Sequence, residues 1–205
     1  MVGVRAERKQ RTREQIAATA LRLFAERGFE AVSVAEVARV VGVTEKTVFN
    51  HFATKEDLVY SGDEAFESAL VDAVGARPPG TPVAAAVAAF LLDRYAGFGD
   101  DPARQERHAV LARLVTDSPA LQARERQILA RYASTLSSHI ALELGVDGDG
   151  DDLRPQVVAE ALIAAHGAVI GAFRRATLSG APPAQYAPRV LAAAREAFGL
   201  LASLP

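Results

Sequence analysis

The sequence predicts an all-α fold, and three observations carry that expectation. No segment alternates apolar and polar residues with period two, which a half-buried strand would require. Apolar residues recur instead at i, i+3, i+4 and i+7 in one stretch after another. Between these stretches stand Gly28, Gly42, Pro78 to Gly80, Pro102, Pro119, an acidic Gly-rich run and Pro182 with Pro183, residues that stop and start helices. The arrangement expected is an N-terminal three-helix unit containing a helix-turn-helix, ahead of a C-terminal helical bundle.

Residues 1 to 11 read as a flexible arm carrying Arg5, Arg8, Lys9 and Arg11. A helix from Thr12 to Arg27 follows, with Ile16, Ala20, Leu23 and Phe24 as its buried stripe, Gly28 as its stop and Phe29 folding back. Ser33 with Glu36 three residues on is a capping box, so a second helix starts there. Val34, Val37, Ala38 and Val41 form its stripe, and Gly42 ends it. Thr44 then caps a third helix reaching Phe52, with Val48 and Phe52 as its core side.

A helix in that position exposes chemistry suited to a major groove. At 100° per residue Lys46 and Asn50 point away from Val48, with Thr47 and Phe49 on the flanks and Thr44 and His51 nearer the protein. Lys and Asn hydrogen-bond base edges, and Ser33, Thr44 and Lys55 are placed to meet phosphate. The DNA-contacting set is Ser33, Thr44, Lys46, Thr47, Phe49, Asn50, His51 and Lys55.

Thr54 caps a long helix that runs from Lys55 to Gly75, with Leu58, Val59, Phe66, Ala69, Leu70 and Ala73 on one side. Further helices are expected at 82–97, 102–117, 119–144, 154–179 and 188–203.

Charge divides along the chain. Residues 1 to 55 hold 10 basic against 6 acidic residues, net +4, whereas the whole chain is at -2. A basic head on an acidic body suits a head that meets a polyanion. There is no Cys, which excludes a disulfide framework, a Cys-based zinc site and a thiol nucleophile. The start lacks an apolar signal-peptide core, and the longest unbroken apolar run, Val83 to Leu92, is too short to span a bilayer, so no membrane partner is expected.

The stretches ALRLFAERGFEAVSVAEVA at 20 to 38, GVTEKTVFNHF at 42 to 52 and TKEDL at 54 to 58 resemble the N-terminal domain of the TetR/AcrR family of transcriptional regulators. Phe49 departs from the family, which more often has tyrosine there. A hydroxyl contact to phosphate is lost, leaving packing against sugar or a thymine methyl. The resemblance implies a cytoplasmic, bacterial, one-component regulator with a DNA-binding domain over 1–54 and a ligand-binding and dimerisation domain over 55–205. It also implies a homodimer formed by the helices at 154–179 and 188–203, whose wide apolar stripes fit a four-helix bundle.

Within the body, Phe90, Tyr95, His108, Leu111, Tyr132 and His139 are the candidate ligand residues, with Leu114 and Leu136 as further large apolar groups. The loop at 145–152 begins like a calcium loop at Asp147, Asp149 and Asp151. It then has Asp152 at the sixth position and Val158 at the twelfth, so it reads as a solvated loop and no metal is expected. No cofactor is expected either. The histidines lack metal-ligand spacing and no nucleophile motif is present, which leaves an enzyme reading without residues. The function expected is a repressor released from a palindromic double-stranded operator by a small apolar or amphipathic effector. The alternative is a helix-turn-helix DNA binder without an inducer, partner-controlled or constitutive.

Overall fold

The computed structural model describes residues 2–146 and 151–201. All regular structure among them is helical, in the order α1 (Val2–Arg27), α2 (Val34–Val41), α3 (Glu45–Phe49), a 3₁₀ turn (Glu56–Leu58), α4 (Asp63–Gly75), α5 (Val83–Tyr95), a second 3₁₀ turn (Phe98–Asp100), α6 (Pro102–Asp117), α7 (Pro119–Leu144), α8 (Arg154–Leu178) and α9 (Pro183–Leu201). The chain forms two compact units. One comprises the residues up to Asp63 with Arg113–Arg124, and the other Glu64–Ala112 with the residues from Glu125 onward.

In the first unit Ile16, Ala20 and Phe24 are fully buried and Leu23 nearly so, as the spacing predicted. Gly28 ends α1 at φ 85°, its N–H on the Phe24 carbonyl, and Phe29 packs edge-on against Phe24 at 5.1 Å. Gly42 closes α2 in a Schellman motif: at φ 81° its N–H reaches the Arg39 carbonyl at 3.3 Å, and Val43 N–H reaches Ala38 at 3.0 Å. The corner between α6 and α7 completes this unit. Buried Ser118 donates to Glu30 at 2.9 Å, Tyr60 donates to the Leu121 carbonyl at 3.0 Å, and Arg124 pairs with Asp57 at 2.7 Å. Leu114, read from sequence as a body residue, is buried here.

Three expectations about elements are corrected. The stretch before Thr12 is helix and not a loose arm, because α1 begins at Val2. The long helix from Lys55 is interrupted: Ser61 and Gly62 are weak helix formers, and Arg13 takes the Ser61 carbonyl at 3.2 Å, so regular helix resumes only at Asp63. The last helix starts at Pro183, not Pro188. Its first turn is held by Tyr186, buried and sharing a 2.8 Å hydrogen bond with Thr177, while Pro188 stands on the exposed side early in the helix.

The second unit is a helical bundle in which α9 packs on α8 and α5, and α5 on α8. Val87, Leu91, Leu136, Leu162, Phe173 and Phe198 form its centre. A Cβ added at Gly167 would meet Leu129 Cδ1 at 3.3 Å, so this glycine admits α7 within the same chain. Polar ties surround the core: Glu67 receives Arg131 at 2.8 Å and Thr135 at 2.6 Å, Arg174 pairs with Glu125, and Arg77 holds Glu143 through both oxygens. That bidentate hydrogen bond keeps Glu143 below the usual carboxylate range.

By length and composition α8 could also cross a membrane, since one window of it has mean hydropathy 1.6. Only 39% of that window is buried within the chain. Its uncovered side meets α9 in an open groove of about 530 Å³, lined by Ala165, Ala168, Ala172, Val190, Ala193 and Ala197 among others. Of the acidic loop, Asp147 and Asp149 lie outside the described residues. Asp151 is exposed, and Arg154 holds Asp152 down at about 2 by hydrogen bonds to its carboxylate.

Candidate nucleic-acid interface and body cluster

The helix-turn-helix is built from its caps inward. Ser33 Oγ accepts the Glu36 N–H at 3.1 Å, one half of the expected capping box; the Glu36 carboxylate goes instead to Arg27, which competes for it as a full charge. Thr44 Oγ1 accepts the Thr47 N–H at 3.1 Å and also meets Thr47 Oγ1 at 2.9 Å, so both hydroxyls are engaged with each other. Val48 and Phe52 are buried, at 1% and 2% exposure. The third helix is shorter than expected, ending at Phe49, with Asn50 as its C-cap.

Glu45, Lys46, Phe49 and Asn50 are exposed, while Thr47 and His51 are half-buried. Phe49 keeps 50% of its surface in water and shares the outward stripe with Lys46 and Asn50. Arg13 of α1 fixes the far end of the recognition segment. It donates to the His51 carbonyl and to Ser61, and its guanidinium lies 4.4 Å from the Phe52 ring centre. His51 Nδ1 is buried without a hydrogen-bond partner; desolvation first, then Lys9 and Arg13, lower its pKa.

Lys55 is placed differently from the expectation of a free phosphate ligand. Its ammonium lies 4.2 Å over Phe29, a cation–π contact within the head. Thr54 and Asp57 form the reciprocal capping box that precedes the 3₁₀ turn, with Thr54 N–H on Asp57 Oδ2 at 2.9 Å and Asp57 N–H on Thr54 Oγ1 at 3.3 Å.

In the body, four of the six candidate ligand residues join one aromatic cluster. Phe66 stacks on Tyr132 at 5.1 Å and on His166 at 5.3 Å, and meets Phe90 at 5.5 Å. His166 Nδ1 shares a 2.9 Å hydrogen bond with Tyr95, which stacks on Phe173; Phe98 and His108 also pack against Phe173. Burial lowers His166 to about 4 and pushes the Tyr95 phenol up, so both stay neutral near pH 7. His108 is also lowered, chiefly by burial, and its buried Nε2 has no hydrogen-bond partner.

Leu111 is half-buried. His139 sits apart from the cluster, beside Gly75, with Nε2 3.2 Å from Glu143 in a geometry that makes no hydrogen bond. Sequence reasoning did not nominate Phe66, read as one side of the helix from Lys55 to Gly75, or Phe173, which falls in the 154–179 helix read as part of the dimer interface. Spacing alone does not tell which neighbour a ring on a wide apolar arc will face.

Comparison with known proteins agrees with this geometry. Residues 16–60 match the family described as bacterial regulatory proteins, tetR family, and residues 81–181 match the MftR C-terminal domain. The HTH-type transcriptional regulator TcmR of Streptomyces glaucescens is 33% identical over 159 residues, 76% of this chain and 70% of that one. A protein of Mycobacterium tuberculosis named as the mycofactocin biosynthesis transcriptional regulator MftR is 30% identical over 156 residues, 74% of each. The solved structure of FadR from Bacillus subtilis in complex with stearoyl-CoA has the same fold, at TM-score 0.55 and 16% identity, covering 94% of this chain and 98% of that chain.

A helix-turn-helix head with an exposed polar recognition face, joined to a helical body, defines a DNA-binding transcriptional regulator. The chain belongs to the TetR family.

Proposed function

We propose that this chain is a homodimeric, cytoplasmic repressor that binds a palindromic operator and is released from it by a small apolar or amphipathic molecule. The observation that carries the operator part is the exposed stripe of Lys46, Phe49 and Asn50 on α3, held by Arg13 and by the caps at Ser33 and Thr44. Residues 1–54, with Lys55 at their border, supply the base and phosphate contacts, and 55–205 the effector and dimer functions. Ser33, Thr44 and Lys55 position the head on phosphate, Lys55 by swinging off Phe29.

The alanine-lined groove between α8 and α9 supports dimerisation through 154–179 and 188–203, of which residues 202 and 203 lie outside the described residues. Covering this face with a second copy accounts for the apolarity of α8 without a membrane. Two symmetric heads read an inverted repeat, because half-sites mirror the two-fold axis of the protein.

For the effector, the His108 Nε2 without a partner inside the aromatic cluster supports a ligand that supplies a polar group there and apolar contact around it. The second reading, a DNA binder with no inducer, is favoured by the ring-to-ring packing of that same cluster, which an effector would have to part.

The test is selection of bound DNA from random duplexes by the full-length dimer, followed by calorimetry of candidate amphipathic compounds with and without operator. Enrichment of an inverted repeat, and a compound whose affinity falls about 100-fold on operator, support the proposal; that factor corresponds to about 2.7 kcal/mol of coupling. Equal affinities for every bound compound, or no compound bound, favour the inducer-free reading.

A further inference from the structure

We infer that Phe49 reads the C5-methyl group of a thymine in the major groove, which makes it a specificity-determining residue of the operator contact; this rests on the DNA-binding reading above. Among the phenylalanines of the first unit, Phe24, Phe29 and Phe52 are 0%, 4% and 2% exposed, whereas Phe49 stands at 50%. An aromatic ring left half in water keeps about half of its surface unburied in the isolated protein, so it offers apolar area to whatever surface the head meets.

The position of the ring selects that surface. Counted around the helix from Lys46, Asn50 lies about 40° to one side and Phe49 about 60° to the other. Lys46 and Asn50 are both exposed, so a surface that receives their donors receives the ring beside them. A phenyl group can neither donate to phosphate nor accept from a base amine. On the base edges of the major groove the thymine methyl is the apolar feature, and it distinguishes T·A from every other pair. Deoxyribose lies along the strands, away from the base edges that Lys46 and Asn50 are suited to read. The methyl-bearing residues of this helix are less available: Val48 is buried, and Thr47 is half-buried with its hydroxyl held by Thr44.

The test starts from the highest-affinity duplex selected by the full-length dimer. Each thymine is replaced in turn by uracil, which removes the methyl and leaves every hydrogen-bonding group in place. One thymine in each half-site is expected to show a loss of about fourfold for the wild type, and roughly 15-fold when both half-sites carry uracil. F49A is expected to bind the thymine and uracil duplexes alike. F49L, which keeps apolar contact without the ring, should retain most of the discrimination and shows that the loss in F49A is not misfolding. With cytosine at that position, 5-methylcytosine should recover about the same factor for the wild type and nothing for F49A. Uracil tolerated at every position overturns the assignment, as does an F49A protein that keeps the loss at the same thymine. Failure to enrich any site removes the DNA-binding reading and this inference with it, whereas uniform tolerance at an enriched site removes only the role of Phe49.

Discussion

The guanidinium of Arg13 lies 4.4 Å over the ring of Phe52, and the same group donates to the carbonyls of His51 and Ser61. One side chain from α1 thereby ties the end of the recognition segment to the start of the next, where the helix expected from sequence is interrupted. Arg13→Ala removes charge-assisted hydrogen bonds to two carbonyls, and the expected loss is about 2 kcal/mol in unfolding of the head. Urea titration followed by circular dichroism measures it. Arg13→Lys should recover little, because an ammonium cannot serve two carbonyls and a ring face with one planar group.

Base reading and phosphate positioning separate by their dependence on sequence and salt. Asn50→Ala is expected to relax preference at one operator position by roughly 1 to 3 kcal/mol while leaving affinity for random DNA unchanged. For the wild-type dimer, neutralising some 8 phosphates predicts a slope of about -7 in log K against log salt. Lys55→Ala should weaken all sequences alike. It should also lower the melting temperature of the head slightly, because it strips the cation from Phe29. Fluorescence anisotropy across a salt series checks these together; equal losses for Asn50→Ala on specific and random DNA would remove its assigned role.

The dimer is best probed through residues that the monomer leaves uncovered. Phe198, which the apolar arc of the last helix would nominate for the interface, is 1% exposed within its own chain, so a charge there damages the fold instead of splitting a dimer. Ala168 and Ala193 are exposed and line the groove between α8 and α9. Ala168→Asp and Ala193→Asp should sediment as monomers with unchanged helical content, because a charge buried at a symmetric interface has no partner to compensate it. Dimers in both variants would place the contact on another face.

Acid should weaken the body. His166 has a folded pKa of about 4 against an ordinary 6.5, so the folded state favours the neutral ring. Its contribution is fully present above pH 6.5 and is lost as pH falls from there toward 4, because the unfolded chain takes up the proton first. His108 is lowered too and acts in the same direction. The expected loss across that window is a few kcal/mol. Thermal melts of the wild type and His166→Gln between pH 7 and pH 4 measure it, and a flatter dependence is expected for the variant.

His108→Phe replaces a buried nitrogen without a hydrogen-bond partner by an apolar ring edge of similar shape. The free protein sheds the uncompensated desolvation of that nitrogen but gives up the backbone hydrogen bond that His108 shares with Phe173, so its stability should change by less than about 1 kcal/mol. Under the inducer reading, the same change weakens effector binding and makes repression harder to relieve. Differential scanning calorimetry and reporter induction give the two readouts.

Local chemistry in this sequence was legible to the residue where a single rule decided it. Gly42 with the stripe of α2, Gly28 with Phe29, and Pro102 and Pro119 as helix starts follow from caps and breakers that act within one turn. What was not legible depended on partners distant in sequence. The break after the 3₁₀ turn involves Arg13 taking the Ser61 carbonyl, and Lys55 leans on Phe29 because α1 ends beneath it. His139, on one helix with Tyr132, turns to Glu143 and Gly75 and not toward the rings, since seven residues along a helix return to nearly the same face but a full two turns away.

The groove between α8 and α9 is lined largely by alanine, a side chain with no rotamer freedom to lose. A second copy seated there would gain nothing from rearrangement and would be admitted or refused by the outline of the backbone itself. Where several paralogues of this fold are made in one cell, an added branch, Ala172→Leu for instance, would bar a mixed pair, and a second change that opens room on the facing surface would let the altered chain pair with itself. Two duplicated genes could in this way become independent switches by a compensated pair of changes at the groove, before their recognition helices had diverged at all.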